Sequence, residues 1–471
     1  MKNDNSFRLI LEKTLQHALS HLENLDSKSV AATSTLSELR LKLNKQLNTE
    51  EFDAQKVIDE LVSDTEGGLI GSAGGRFFGW AVGGSVPATL AADWLTSAWD
   101  QNACLVASAP AEAVIEEVCG NWLKDLLGLP AQASFAFVTG SQMAHVTCLA
   151  AARNSLLSKR NWDVESKGMN GAPQIRILTS SEKHGSVERA VRLLGLGIDS
   201  IISLPVDDEG KIKIAPLFEE LKSNKETATI LVLQAGDLNI GAFDLFSEII
   251  PVAHNYNAWV HVDGAFGLWA AASEKYKHFT NGYELADSWV TDGHKWLNVP
   301  YDCGYAFIAD SKAHLNSISH RASYLIHDEN ARDEINWTPD WSRRGRGVAT
   351  YAAIRQLGRK GISELVERTC KFAHSLVTKI GELDGAEIIW TPTINQGLVR
   401  FKNSKNNATE ADHDDYTEMI MEDIRKSGEA FFSGTTWRGK RCMRVSVLNW
   451  LTNENDIDRA VAAVKKVLRE K

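Results

Sequence analysis

The sequence lacks several features that define large classes of protein. Its six cysteines are scattered without a Cys-x-x-Cys pair, which argues for reduced thiols and against a disulfide framework or a zinc site. No window is apolar over the length of a bilayer crossing, and the N-terminal stretch is amphipathic without the apolar region of a signal peptide. We therefore expect a cytoplasmic protein that does not associate with membranes.

Basic charge is also scarce. The 471 residues include 51 Lys and Arg against 61 Asp and Glu, and no basic cluster stands out. This balance excludes nucleic acid and anionic membrane surfaces as expected partners. A chain of this length is expected to divide into two or three lobes.

The phosphate loops of the common nucleotide-binding folds are missing as well. Residues 67–84 are rich in glycine, yet no Gly-x-Gly-x-x-Gly or Walker spacing follows a strand there. A flexible connecting loop is the favoured interpretation. Arg76, Phe77, Phe78 and Trp80 stand among these glycines, and exposed aromatic side chains on such a loop would suit the wall of a substrate pocket.

Two apolar runs that lead to charged groups are present. The run WVHVD ends on Asp263, and Lys295 stands just past a second apolar run, in SWVTDGHK. Each is expected to be a short strand with its charged group at the carboxyl end, where open α/β sheets bind ligands. Alone, such an Asp is usually a cap or turn residue and such a Lys a solvated charge. Together they suit pyridoxal phosphate, because lysine forms a Schiff base with its aldehyde and a carboxylate pairs with its ring nitrogen.

The residues around these two positions resemble a known family. The segments HVDGAFG and TDGHKWLNVPYDCG closely resemble the core of the group II pyridoxal-phosphate-dependent decarboxylases, which include the aromatic L-amino acid, tyrosine and glutamate decarboxylases. The resemblance implies that Lys295 is the Schiff-base lysine, Asp263 the partner of the ring nitrogen and His294 the histidine beside the lysine. Ala265 and Asp292, in the same segments, are expected to contact the cofactor.

A second segment is predicted to hold the cofactor phosphate. The strand-like SFAFV is followed by a small polar turn and a helical run, an arrangement that points backbone N–H groups and the positive helix end at an anion. It resembles the family's Ser/Thr-Gly-Gly-Ser/Thr-Glu-Ala-Asn phosphate loop. The residues that would bind phosphate are Thr139, Gly140, Ser141 and Gln142. Met143 and His145 stand where the family has Glu and Asn.

His184 follows the strand-like QIRILTS at the start of a helical pattern. A solitary histidine at a helix start is more often a cap or a surface residue. Its position nevertheless matches the family histidine that stacks on the pyridine ring. Further on, AGDLNIGAFD resembles the family's Gly-Thr-Thr-x-x-Gly-Ala-Phe-Asp, with Asp237 and Leu238 in place of the threonines.

Substrate contacts are predicted from two further places. The glycine-rich segment resembles the family's His-Pro-x-Phe-Phe region, with Gly-Gly in place of His-Pro, so Phe78 and Trp80 are expected to line the substrate pocket. Arg444 lies in the strand-like RVSV and matches an arginine that binds the substrate carboxylate in glutamate-type relatives; a surface salt bridge is equally compatible. The aromatic residues favour an aromatic substrate and Arg76 and Arg444 an acidic one, and the sequence leaves both open.

Alternating strands and helices indicate an α/β protein with a mainly parallel sheet in a large domain and a small α+β C-terminal domain. The resemblance implies the aspartate-aminotransferase-like fold, PLP fold type I, and a homodimer with its active site at the subunit interface. Apolar positions at helical spacing before residue 62 predict two or three helices. The expected divisions are 1–88, a helical segment with the substrate-lining loop; 89–341, the PLP-binding domain; and 342–471, the C-terminal domain.

The activity expected from these features is PLP-dependent decarboxylation of an L-amino acid to its amine. The alternatives are an aminotransferase or an aldehyde-forming oxidative deaminase, and a catalytically silent binding protein, which the presence of Lys295 and Asp263 disfavours.

Residues 320–341 are expected to form a mobile surface loop. In aromatic amino acid decarboxylases a tyrosine on the corresponding loop returns the proton to the α-carbon, and plant relatives with phenylalanine there make aldehydes. No tyrosine occurs between 326 and 341, so His184, ahead of His327, is the favoured proton donor.

Overall fold

The computed structural model describes residues 6–320 and 332–471. The helices are α1 Ser6–Glu23, α2 Leu36–Leu43, α3 Ala54–Thr65, α4 Pro87–Trp99, α5 Pro110–Leu126, α6 Ser141–Ser158, α7 Val164–Lys167, α8 Gly185–Leu193, α9 Ile214–Ser223, α10 Phe246–Asn255, α11 Ser311–Ile318, α12 Gly347–Gly381, α13 Glu410–Ser427 and α14 Glu454–Arg469. The strands are β1 Ser134–Val138, β2 Ile175–Ser180, β3 Ile201–Leu204, β4 Ala228–Gln234, β5 Trp259–Asp263, β6 Ser288–Asp292, β7 Gly304–Ile308, β8 Ala386–Trp390, β9 Gln396–Phe401, β10 Ser433–Trp437 and β11 Lys440–Ser446.

The chain folds into two compact units, which are described separately. The first comprises Met1–Val82, Ser375–Thr391 and Leu398–Lys471, and the second Gly83–His374 and Pro392–Gly397. The domain boundaries expected from the sequence stay a prediction.

The second unit is built around a seven-stranded sheet in the order β1-β7-β6-β5-β4-β2-β3. Strands β6, β5, β4, β2 and β3 are parallel to their neighbours in this order, whereas β7 is antiparallel to both β1 and β6. Strands β1, β2 and β4 to β7 are buried along their whole length, which explains their nearly continuous apolar sequences. The prediction of an α/β fold with a mainly parallel sheet is confirmed.

The sheet order brings several strand ends to one edge. Because β4, β5 and β6 are parallel, their last residues Gln234, Asp263 and Asp292 all lie at the same edge. Strands β1 and β6 are both antiparallel to β7, so they run in the same direction. The last residue of β1 therefore lies at this edge too. Val138 and Asp292 both pair with Gly304, from opposite sides. The turn after β1 therefore starts next to Asp292.

The first unit contains the N-terminal helices and a four-stranded sheet in the order β10-β11-β9-β8. Helices α1 and α2 each pack on α3, so the prediction of two or three N-terminal helices is confirmed. Arg76 is only 2% exposed and joins distant parts of this unit. Its guanidinium donates hydrogen bonds to the carbonyl oxygens of Asp26, Lys28 and Glu429 at 2.6–2.9 Å.

The glycine-rich segment differs from the flexible loop with exposed aromatic residues that the sequence suggested. Phe77 and Phe78 are buried, at 2% and 0% exposure. Their rings stack on Phe431 and Phe432, with centroids 4.6 and 5.3 Å apart. The expectation of exposure is wrong for these two residues and correct for Trp80, which is 56% exposed.

Three consecutive residues of the expected mobile loop are also packed. Asp333, Glu334 and Ile335 are all buried, so the prediction of a surface loop is wrong for these residues. Residues 321–331, including His327, lie outside the described residues. Within the two described ranges, the structure has no helix of the length and hydropathy that a bilayer crossing needs.

Candidate active site

Asp263 and Lys295 approach one edge of the sheet from neighbouring strands. Asp263 is the last residue of β5, and Lys295 follows the end of β6 by three residues. The Lys295 ammonium lies 3.1 Å from Asp292 Oδ2, and its side chain is 21% exposed. The charged group at the end of β6 is therefore Asp292, and Lys295 stands on the turn beyond it.

This turn is held close to the chain at Gly83. The Gly83 amide donates to the His294 carbonyl at 3.3 Å, and the Gly84 amide donates to Asn298 Oδ1 at 2.8 Å. A Cβ atom on Gly83 would lie 2.0 Å from the Lys295 carbonyl oxygen. Only glycine permits this approach, so the glycine-rich segment has a definite role in positioning the lysine turn.

The Asp263 carboxylate is stabilised in its charged form. Burial opposes ionisation, but the neighbouring His145, together with His184 and Lys295, outweighs burial and holds the pKa of Asp263 well below its ordinary value. Its Oδ1 accepts a hydrogen bond from the Ala265 amide at 3.3 Å. An ionised carboxylate at this position suits a protonated ring nitrogen.

The turn between β1 and α6 contains features that fit a phosphate group. Among the residues that the structure describes, the buried Ser141 Oγ has no hydrogen-bond partner, and such a buried orphan hydroxyl calls for a ligand. It lies at the positive end of the 18-residue helix α6, whose first turn has no acidic residue. One amide is already engaged, because Ser141 N–H donates to Asp292 Oδ1 at 2.6 Å.

Thr139 and Gln142, the first and last residues of this turn, are partly buried. Gln142 Nε2 donates to the Ser186 carbonyl at 3.3 Å, which links the turn to the start of α8. Thr139 directly follows β1, and Gly140 precedes α6. The four residues predicted to bind phosphate thus lie together beside Asp292.

His184 caps helix α8. Its Nδ1 accepts a hydrogen bond from the Ser186 amide at 3.2 Å, and the side chain is exposed. Because Nδ1 accepts, the proton of the neutral ring is on Nε2. The residue is a helix cap, as the simpler interpretation expected; its stacking on a cofactor ring stays a prediction.

His294 is held as a rigid neutral ring. Burial lowers its pKa, its Nδ1 accepts from the Cys303 amide at 3.2 Å, and its ring stacks on Tyr301 with centroids 4.4 Å apart. Ala265 accepts the Asp292 amide hydrogen bond through its carbonyl at 2.9 Å. These contacts fix the positions of both strand ends.

The three residues predicted to contact substrate belong to the first unit. Phe78 is buried against Phe432. Trp80 packs on Phe431 with ring centroids 4.9 Å apart, and Arg444 is 8% exposed on β11, where it pairs with Ser433. The second unit, by contrast, contains the turn 139–142, Asp263, Ala265, Asp292, His294 and Lys295.

One group of polar residues was not predicted. His145 and His261 lie behind Asp263, with His145 Nδ1 2.9 Å from His261 Nε2. The signal available in the sequence was the alternation in β5, which places residues 261 and 263 on one face. His145 could not be found from this alternation, because it lies near Asp263 only through the packing of α6 on the sheet.

An ionised acid, a lysine on the adjacent turn and a helix start suited to an anion, all at one edge of a mainly parallel sheet, form the arrangement expected of a pyridoxal-phosphate-dependent enzyme of α/β fold. The family follows from comparison with known proteins. Residues 38–404 match the pyridoxal-dependent decarboxylase conserved domain, and the chain belongs to this family. It is a carboxy-lyase with pyridoxal phosphate as its cofactor.

Known relatives and structures extend this assignment. The chain is 26% identical to the aromatic-L-amino-acid decarboxylase of Bacillus atrophaeus, over 96% of this chain and 93% of that protein. It is 26% identical to the 4-hydroxyphenylacetaldehyde synthase of Rhodiola rosea, over 74% and 72%. The crystal structure of Oryza sativa TDC with PLP and tryptamine superposes with a TM-score of 0.91, covering 99% and 98% of the two chains at 22% identity. This likeness confirms the expected fold.

Proposed function

We propose that this protein decarboxylates an L-amino acid to its amine, with Lys295 attaching pyridoxal phosphate as a Schiff base. The observation that carries the proposal is the position of Lys295 next to Asp292, one strand away from the ionised Asp263. The bound cofactor supplies an electron-accepting ring for the bond that breaks at the α-carbon.

The residues of the site divide the work of binding and proton handling. Asp263 holds a proton on the ring nitrogen, and Ser141 Oγ with the rest of the turn 139–142 binds the phosphate. Lys295 must lose a proton before its nitrogen can attach to an aldehyde, and Asp292 Oδ2 at 3.1 Å is within hydrogen-bond distance to accept it. His184 would cover the ring and return a proton through Nε2.

An aromatic L-amino acid is the substrate class that we favour. Arg76, one of the two arginines that suggested an acidic substrate, donates to backbone carbonyls and is buried in the first unit. Trp80 presents an exposed indole, and a relative over most of the chain is an aromatic-L-amino-acid decarboxylase. Arg444 keeps an acidic substrate as the alternative.

Aldehyde formation is the second candidate activity. Residues 326–341 contain no tyrosine, and the chain is similar to a 4-hydroxyphenylacetaldehyde synthase. Without an efficient proton donor, the carbon that loses carbon dioxide would be oxidised by molecular oxygen, which is reduced to hydrogen peroxide, and water would release the aldehyde and ammonia. We therefore expect slow decarboxylation with a measurable aldehyde side product.

The assembly is proposed to be a homodimer with the active site at the subunit interface. Helices α2 and α3 have no buried residue, and Leu11 and Leu15 of α1 are 57% and 43% exposed. An apolar helical surface of this kind favours burial against a second copy. Light scattering on Leu11→Glu/Leu15→Glu should show monomers, whereas Leu193→Glu, at a position 62% exposed on α8, should stay dimeric.

All six cysteines are buried free thiols, which supports a cytoplasmic location.

Borohydride reduction followed by peptide mapping tests the proposed attachment. The holoenzyme should absorb as a Schiff base, lose that band on reduction and carry the label on Lys295. Amine, aldehyde, ammonia and carbon dioxide should then be measured with a panel of aromatic and acidic L-amino acids. Lys295→Ala should abolish turnover, and Lys312→Ala, at an exposed position on α11, should not. Label on another lysine, or turnover by Lys295→Ala, would contradict the proposal.

A further inference from the structure

A line of buried polar side chains runs from the sheet interior to Asp263. Its contacts are Trp259 Nε1 to Ser288 Oγ at 2.9 Å, Ser288 Oγ to His261 Nδ1 at 2.9 Å, His261 Nε2 to His145 Nδ1 at 2.9 Å, and His145 Nε2 to Asp263 Oδ2 at 3.5 Å. Ser288, His261 and His145 are 0% exposed, and Trp259 is 4% exposed. No step proposed above uses these four side chains.

The line is a product of the fold. Trp259, His261 and Asp263 alternate along β5 and so lie on one face of the sheet. Ser288 is directly opposite His261 in β6, and His145 comes from α6, which packs on β5 and β6. Because strand register and helix packing set these positions, the contacts are fixed as firmly as the core itself.

The tryptophan gives the line a direction. An indole N–H can only donate, so Ser288 Oγ must accept from Trp259. The Ser288 hydroxyl then donates its own proton to His261 Nδ1 or to the neighbouring Cys148 sulfur. Since a thiol sulfur is a weak acceptor, His261 Nδ1 is the better one.

His261 transmits this direction because its ring is neutral. Burial lowers its pKa to about 3, so the ring has one N–H. If that proton were on Nδ1, His145 would have to donate from its own Nδ1 and a neutral His145 would turn a lone pair toward Asp263. With the proton on His261 Nε2, His145 Nδ1 accepts and its Nε2–H is directed at the carboxylate. The second arrangement avoids both a lone-pair clash and a buried cation.

We propose that Trp259, Ser288 and His261 form a one-way hydrogen-bond relay that fixes His145 as the tautomer whose Nε2–H points at Asp263. His145 is then a positioning residue: it orients the carboxylate with a neutral donor. A cationic imidazolium at this place would compete with the protonated ring nitrogen for the same negative charge. The consequence for catalysis rests on the proposed role of Asp263, whereas the tautomer itself does not.

The separation of His145 Nε2 and Asp263 Oδ2, at 3.5 Å, is at the long limit of a hydrogen bond, and strict geometry leaves this nitrogen without a bonded partner among the described residues. The tautomer of His145 therefore decides whether this contact with Asp263 is attractive or repulsive.

Neutron crystallography of the holoenzyme locates the protons directly. Expected are His145 and His261 each with a proton on Nε2 alone. A proton on His145 Nδ1, alone or in addition, would overturn the relay.

Variants test whether the relay acts on Asp263 in solution. Ser288→Ala breaks the line, and the proton affinity of the bound cofactor, followed by its absorbance against pH, should change on the order of tenfold to a hundredfold, the usual contribution of a hydrogen bond to a charged group. His145→Gln places an amide N–H₂ near the position of His145 Nε2, and an amide donates without needing a relay. Adding Ser288→Ala to His145→Gln should therefore produce no further change.

An equal effect of Ser288→Ala in both backgrounds would refute the relay and indicate a packing effect only. Circular dichroism and thermal midpoints of each variant, measured alongside, identify any that fail to fold; for these, the proton positions in the wild-type holoenzyme decide. Failure of the proposed function has a different signature. A protein that releases no carbon dioxide from any amino acid, yet has both protons on Nε2, would retain the relay and lose the decarboxylase assignment.

Discussion

Replacing Arg343 with methionine should strongly destabilise the protein, because the buried Glu116 carboxylate then loses its partner. The two side chains form a paired contact, Nη1 to Oε2 at 3.0 Å and Nη2 to Oε1 at 2.9 Å, and each is 1% exposed. The guanidinium also donates to the carbonyls of Ala103 and Phe137 at 3.0 and 2.9 Å. Phe137 is the penultimate residue of β1, so Arg343 supports the strand that leads into the phosphate turn.

The magnitude follows from burial. Removing one partner of a buried ion pair costs about 3–5 kcal/mol of unfolding free energy. Burial already raises the pKa of Glu116, so in the variant the carboxyl takes up a proton when folded and releases it when unfolded. The folded state then binds more protons than the unfolded state, and stability falls as pH rises. The loss should grow by about 1.4 kcal/mol per pH unit between the ordinary glutamate pKa and the raised pKa of Glu116 in the folded variant.

Urea unfolding followed by tryptophan fluorescence at pH 6 and pH 8 measures this loss. The double variant Glu116→Leu/Arg343→Met should regain much of the stability, since it removes the Glu116 carboxylate together with its partner. The matched control is Arg359→Met, which removes an ion pair with Asp125 of α5, the helix that also contains Glu116; the two side chains of this control pair are 60% and 73% exposed. It should change the free energy of unfolding by less than about 1 kcal/mol. An Arg343→Met variant within 1 kcal/mol of wild type, or with the same loss at both pH values, would refute the reasoning.

The remaining predictions concern turnover. Asp263→Asn removes the charge with little change in size, so it should still bind pyridoxal phosphate yet lose activity on the order of a hundredfold; near-normal amine release would exclude the assigned role. His184→Asn keeps a good helix cap for α8 but no imidazole, and it should raise the ratio of aldehyde to amine in product analysis. His184→Gln should raise the same ratio and also lower the thermal midpoint, because glutamine caps poorly; a ratio equal to wild type in both variants would point to another proton donor.

The strands of the sheet were accessible from sequence because a parallel strand covered on both faces needs an unbroken apolar run. WVHVD, the whole of β5, was bounded correctly for this reason. The second run, with Lys295 just past it, corresponds to β6, which ends at Asp292. Gly293 begins a turn there, and its amide bonds to the Cys303 carbonyl at 3.0 Å. That partner is ten residues away, on a segment whose return path the local pattern does not show.

The burial of Phe77 and Phe78 was not accessible, for a related reason. Aromatic residues among glycines resemble a surface loop when only neighbours in sequence are considered. Their stacking partners, Phe431 and Phe432, are more than 350 positions later in the sequence. Periodicity reports which face of an element is buried, but an irregular segment has no period, so its burial depends entirely on long-range contacts.

Asp292 was expected to contact the cofactor, and its geometry gives that expectation a testable consequence. Its carboxylate accepts from the Ser141 amide at 2.6 Å and pairs with Lys295 at 3.1 Å. The helix start that should bind the phosphate thus already faces a fixed negative charge, and like charges a few ångströms apart repel.

Asp292→Asn keeps an acceptor for the Ser141 amide and removes the charge. It should therefore raise the preference of the cofactor-free protein for pyridoxal phosphate over pyridoxal on the order of tenfold, while it slows attachment to Lys295 by removing the proton acceptor. Absorbance titrations with both compounds measure the preference. If it is unchanged or lower, the phosphate does not bind beside Asp292, and the turn 139–142 is not its site.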